Sequence, residues 1–221
     1  MSHPLDNPVW NALGGPHFKL GATDGRIRHY DPTIAIFAGV EDPFASDFAG
    51  LPKGRSYGFV TTGPVTWPAS IEMQRQVEVL QMIAGAPKPA TPGPDLMALG
   101  EVNVPEMMAL VELTQPGPFA RRTYRMGRFW GIVEDGKLVA MAGERMKLTG
   151  FTEVSAVCTH PDYRGQGYAR ELVSKVLIGI MERGETPSLH VYPDNSGAIR
   201  LYESLGFTKR RTMVFAVVQP R

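Results

Sequence analysis

The sequence predicts a mixed α/β or α+β protein, and three observations carry that expectation. Beyond residue 96, β-rich runs alternate with segments of helical period. Asp135-Gly136, the pair most indicative of a two-residue hairpin turn, joins two such runs, "RFWGIVE" and "KLVAMAGERMKL". Finally, proline and glycine recur in "AGAPKPATPGPDL", Ala84 to Leu96, too densely for a helix or a central strand. That stretch reads as a connector between a small α+β unit, residues 1–95, and a second unit, residues 96–221.

In the first unit, "RIRHYDPTIAIFAGV" offers short β-rich runs broken at Asp31-Pro32. The spacing of Ile71, Val77, Leu80 and Ile83, with Gly85 behind them, predicts a helix. In the second unit "LMALGEVN" reads as a strand, and Pro105 is an allowed first-turn proline for a helix through "PEMMALVEL". After a loop and the hairpin comes a strand, "FTEVSAVCT", and then the loop "HPDYRGQG". A helix follows with Leu172, Val176 and Ile180 on one stripe and Gly184 as its stop. "PSLHVYP" is a strand, "NSGAIRLYESLG" a helix opened by Asn195 and closed by Gly206, and "FTKRRTMVFAVVQ" a last strand.

With 43% hydrophobic and 20% charged residues the chain can bury a sizeable core, and its formal net charge of +1 argues against a nucleic-acid or acidic-membrane partner. The one cysteine, Cys158, excludes an internal disulfide and any multi-cysteine metal site, so no metal is expected and a cytoplasmic location fits. No run of about 18 apolar residues and no secretory leader pattern is seen. A homodimer is left open.

The chemistry concentrates in "VCTHPDYRGQGYARELV". A strand running into "RGQGYA" and then a helix aims unpartnered backbone N–H groups and the helix dipole at one spot, an anion site. Gly165 and Gly167 let a ligand approach the backbone, and Arg164 adds a charge. Taken alone, the same glycines would serve a tight turn equally well. The P-loop ending Gly-Lys-Ser/Thr is absent, and only two glycines of a dinucleotide fingerprint are present.

"HPDYRGQGYARELV" resembles the acetyl-CoA pyrophosphate motif of the GNAT superfamily of N-acetyltransferases, with Arg164, Gly167 and Ala169 at its defining positions. "NSGAIRLYESLGF" resembles the second signature of that superfamily, through Asn195, Ala198, Tyr202, Gly206 and Phe207. The likeness covers about Leu96 to Val218 and looks closest to glycine N-acyltransferase-like proteins, in which the domain follows an N-terminal extension. It implies a GNAT fold, a splayed mixed β-sheet flanked by helices. The implied activity is acetyl transfer from acetyl-CoA to a primary amine of a small molecule or peptide, with a non-catalytic acyl-CoA-binding module as the alternative.

The resemblance also implies roles. Gly165, Gln166, Gly167, Tyr168 and Ala169, with Arg164, would hold the pyrophosphate; Val157, Cys158 and Thr159 would offer backbone groups to pantetheine and the reacting carbonyl; Asn195 and Tyr202 would complete the cofactor site. Tyr202 matches the position that protonates the departing sulfur, and a phenol of pKa about 10 stays protonated at neutral pH. Glu153 matches a general base, and strand alternation puts it on the face of Val157; Glu144 is a reserve acting through water. Cys158 reads as a small buried hydrophobe and His160 as a turn residue. The run "RRTYRMGR", Arg121 to Arg128, reads as a solvated loop bordering the acceptor site, where an arginine could hold an acceptor carboxylate.

Overall fold

The computed structural model describes residues 3–46, 48–91, 93 and 96–221. In chain order it contains α1 (Pro8–Leu13), β1 (Gly21–Asp24), β2 (Ile27–Tyr30), β3 (Ala38–Val40), β4 (Tyr57–Thr61) and β5 (Ile71–Ile83). There follow β6 (Met97–Leu99), α2 (Val104–Thr114), β7 (Phe129–Glu134), β8 (Lys137–Leu148) and β9 (Phe151–Thr159). The chain ends with α3 (Tyr168–Met181), β10 (Thr186–Val191), α4 (Ser196–Ser204) and β11 (Thr208–Pro220). Strands β1, β2 and β3 make a small sheet, and the other eight form one sheet in the order β4-β11-β5-β10-β9-β8-β7-β6.

The hairpin forms as expected: Asp135 and Gly136 are both left-handed, with φ 50° and 73°, the geometry that matches the twist of the strands they join. On β8, Met141 meets α2 through Met107 and Leu110, while Ala140 and Ala142 face Leu172, Val176 and Ile180 of α3. The strand alternation thus gives each helix its own face of the sheet. Full burial of those three α3 side chains contributes about 1.5–3 kcal/mol apiece.

The predicted helix over residues 71–83 is instead β5, paired along its whole length with β11 and over Leu80–Ile83 with β10. Its four spaced hydrophobes suit either period over so short a window, and the cross-strand ladder with β11 overrides local propensity. Strands β4 and β5, from before residue 96, lie in the same sheet as the strands after it. Three residues of the predicted connector, 92, 94 and 95, lie outside the described residues. Its described part is bound along α3 and α4: Lys88 N–H donates to the Leu205 carbonyl at 2.8 Å, Ala90 N–H to Ser174 Oγ at 3.0 Å and Gly93 N–H to Glu171 Oε1 at 2.7 Å. Gly206 is required at this crossing: its φ is 93° and a Cβ there would sit 2.5 Å from the Ala86 carbonyl oxygen.

Two irregularities open the centre of the sheet. Strands β9 and β10 pair in parallel only from Phe151–Glu153 with Thr186–Ser188 and then diverge, leaving Val154–Thr159 without a partner on that side. On its other edge β9 carries a bulge: Gly143 faces Ser155 and Met141 faces Cys158, so Ala156 and Val157 share Ala142 as partner. Ala156 adopts φ 52°, a conformation costly for an L-residue and held here by its surroundings.

Candidate active site

The divergence of β9 and β10 creates a cleft of about 920 Å³. One end is formed by Arg164–Gly165, Gly167–Arg170 and α4, the other by Phe37, Val60, Val79 and Phe215, and the segment Thr114–Pro118 borders it.

At the first end the sequence-predicted residues converge. Gly165 and Gly167 have φ of 82° and 86°, and the space where a Cβ would project is open for 4 Å around both. Gly167 is the N-cap of α3, whose first intrahelical turn closes with Glu171 N–H on the Gly167 carbonyl at 3.2 Å. The N–H groups of Tyr168, Ala169 and Arg170 therefore have no acceptor within the helix and, with Arg164 and Arg170 on the cleft wall, suit an anion such as a pyrophosphate. Gln166 is exposed and does not line the cleft. Tyr168 braces the loop by donating to Glu134 Oε1 at 2.8 Å.

Along the wall lie Val157, Cys158, Thr159, Asn195 and Tyr202. Asn195 Oδ1 accepts from Ala198 N–H at 3.1 Å and so caps α4, the helix that carries Tyr202. Burial, with the neighbouring Cys158 adding to it, pushes the Tyr202 phenol up to about 12. Burial likewise pushes the Cys158 thiol up to about 11, so the sulfur is a neutral thiol at physiological pH, as expected for a structural cysteine. His160 caps a short turn through its Nδ1, which accepts from Asp162 N–H at 3.3 Å.

The geometry around Glu153 differs from the expectation of a free carboxylate facing the cleft. The bulge at Ala156 breaks the alternation, so Val157 packs with the cluster of Val154 and does not share the side of Glu153. Glu153 is buried behind the wall, where Arg145 donates from Nε at 2.8 Å and from Nη2 at 2.7 Å, and His190 Nδ1 lies 2.7 Å from Oε1. Burial alone would raise its pKa, but the Arg145 guanidinium and His190 hold it well below the usual carboxylate range. Such a carboxylate orients its partners and is a weak proton acceptor. Glu144 is engaged in the same way, by Lys147 at 2.7 Å and Arg183 at 2.8 Å.

Sequence reasoning missed the second end of the cleft. Arg145 and His190 reach its wall, and His190 Nε2 pairs with Gln81 Nε2 at 3.0 Å, tying β10 to β5. The arginine run lies elsewhere: Arg121, Arg125 and Arg128 are exposed, and Arg122 donates to Thr33 Oγ1 at 3.3 Å. The available signal was the placing of Arg145 and Glu153 on adjacent β-rich runs joined by Thr149-Gly150, within reach of a cross-strand ion pair.

Residues 129–216 match the FR47-like protein family. A solved structure from Novosphingobium aromaticivorans, assigned to the GNAT family of acetyltransferases, is 44% identical to this chain, covers 100% of both chains and superposes with a TM-score of 0.92. The chain belongs to the GNAT family. It is 31% identical over 126 residues to N-alpha-acetyltransferase MAK3 of Arabidopsis thaliana, a match spanning 52% of this chain and 65% of that protein. It is also 27% identical over 120 residues to the ribosomal protein bS18-alanine N-acetyltransferase of Escherichia coli, spanning 80% of that protein. The expected GNAT architecture, a mixed sheet opened at its centre and flanked by helices, is present. No described helix is long and apolar enough to cross a membrane.

Proposed function

We propose that this GNAT protein transfers an acetyl group from acetyl-CoA to a primary amine by direct attack. The observation that carries the proposal is the continuity of one cleft, from the unpartnered N–H groups of Tyr168–Arg170, past the bulge at Ala156–Val157, to the buried phenol of Tyr202. In that reading the first turn of α3, Arg164 and the backbone of Gly165 and Gly167 hold the pyrophosphate, while the open edge of β9 at Val157–Thr159 pairs with pantetheine. Backbone N–H groups freed by the bulge donate to the thioester oxygen as it takes on charge.

In the reaction a C–N bond forms and the C–S bond breaks, the nitrogen gives up one proton and the sulfur gains one. A phenol at about 12 stays protonated throughout the working range, and Tyr202 donates a hydrogen bond to the departing sulfur as its charge grows. Glu153 acts by fixing Arg145 and His190, so removal of the amine proton falls to water in the cleft. The fit of the site to acetyl-CoA is supported by the open space over Gly165 and Gly167.

The test is calorimetric binding of acetyl-CoA combined with thiol release across a panel of amines. Binding in the micromolar range and turnover with at least one amine are expected; binding without turnover on any amine would instead support the acyl-CoA-binding module.

A further inference from the structure

The two ends of the cleft differ in how they present positive charge. Among the described residues lining it, the formally charged side chains are Arg145, Arg164 and Arg170. Arg164 and Arg170 belong to the anion-binding end. Arg145 stands at the other, against the ring of Phe37 with its guanidinium carbon 4.9 Å from the centroid. Nε and Nη2 of Arg145 are held by Glu153, which leaves Nη1 as the donor it can present to the cleft. Tyr192 lines the cleft beside it and also lines an adjoining groove of about 890 Å³, which shares Gln115, Gly117, Pro118 and Phe215 with the cleft.

We infer that Arg145, with Tyr192, binds the oxygen adjacent to the amine of the acceptor, so that the acceptor class is an α-amine next to a carbonyl or carboxylate. This rests on the acetyl-transfer reading above. Three physical arguments meet here. The attacking amine must be neutral, and Glu153 and Glu144, the two carboxylates expected as bases, are already paired with cations. The α-amine of a peptide or an amino-acid amide, with a pKa of about 8, is neutral in about one molecule in ten at pH 7, whereas a side-chain amine at about 10.4 is neutral in only about one in 2,500. An oxygen beside the amine then matches the Nη1 amino group that Glu153 leaves free on Arg145, while Phe37, Val60, Val79 and Phe215 offer an apolar wall to a side chain.

Two sources share the oxygen beside the amine, a free amino acid and a peptide N-terminus, of which only the second has the lowered amine pKa, and matched acceptors separate them. The full chain with acetyl-CoA is assayed for thiol release with leucine, leucinamide, a tripeptide beginning with leucine, isoamylamine (leucine without its carboxyl group) and spermidine. Rates are compared per unit of neutral amine. A kcat/KM at least tenfold higher for leucine, its amide or the tripeptide than for isoamylamine is expected, and preference among the three names the source. Arg145→Lys keeps a cation beside Glu153 but loses the third N–H edge, and Tyr192→Phe leaves the ion pair intact. Each is expected to raise KM for the preferred acceptor severalfold, with isoamylamine and acetyl-CoA unaffected. Equal use of isoamylamine, or a best rate on spermidine, overturns the inference and leaves acetyl transfer standing. Acetyl-CoA binding with no turnover on any acceptor overturns both.

Discussion

The loop end of the cleft and its proposed acceptor end are built by opposite means. The loop end comes from one contiguous stretch, Val157–Arg170, with α4 beside it, and works through backbone N–H groups, positive-φ glycines and a helix terminus. The acceptor end gathers side chains from β4, β5, β8, β10 and β11 and depends on a buried ion-paired network behind it. A site made of backbone is specified locally and tolerates change elsewhere. One made of distant side chains inherits the stability of everything that holds those strands together.

The sharpest way to break that contrast is Glu153→Ala. It leaves the Arg145 guanidinium buried without its partner, and a loss of about 3–5 kcal/mol in urea unfolding is expected. A loss under about 1 kcal/mol would show that the network is not what supports the acceptor end.

Next comes acid. His17 is buried between the Tyr30 hydroxyl at 2.9 Å and the Met126 carbonyl at 3.0 Å, in the core behind Phe37, and burial lowers its pKa to about 4. Because the unfolded chain takes up this proton near pH 6.5 and the folded chain only near 4, stability is full above neutrality and falls as pH drops through that window. The loss attributable to His17 is up to about 3 kcal/mol. The difference between the parent and His17→Gln in urea midpoint against pH measures it, and parallel curves would refute it.

At the loop end, Gly167→Val forces a β-branched residue to φ 86° at the helix N-cap and fills the open space above it. Acetyl-CoA affinity is expected to fall about 30-fold, some 2 kcal/mol, by calorimetry, with the folded core intact. The smallest effect is expected from Tyr202→Phe, about tenfold in kcat with acetyl-CoA affinity within about twofold, the pattern of an interaction made only as the bond breaks. An unchanged kcat removes Tyr202 from the chemistry.

The same contrast explains what could be read from the sequence. The turn at Asp135-Gly136, the stripe of α3, the cap at Asn195 and the glycines of the loop are short-range devices, so adjacent residues announce them. Strand β5 is a long-range device. Residues 72–76 are exposed, so the inside-outside alternation that marks a strand is missing there, and Ile71, Val77, Leu80 and Ile83 could pass for a helical face. Arg145, His190 and Phe37 were invisible as a group because nothing along the chain brings them together. The bulge at Ala156 was hidden too, since its positive φ falls on an alanine where a glycine would have signalled it.

Strand β5 also has a consequence for the order in which the molecule can assemble. Its partners arrive late: Gln81 reaches Arg210, 129 positions further on, and Ile83 reaches Ser188 and Thr208. Contacts between such distant parts of a chain close slowly, because the loop between them must first be ordered. During synthesis β5 emerges with both edges bare, and it waits until β10 and β11 leave the ribosome. Val79 joins Val60 and Phe215 in one wall of the cleft only once the last strand has docked between β4 and β5, so that end of the cleft is among the last parts of the molecule to take shape.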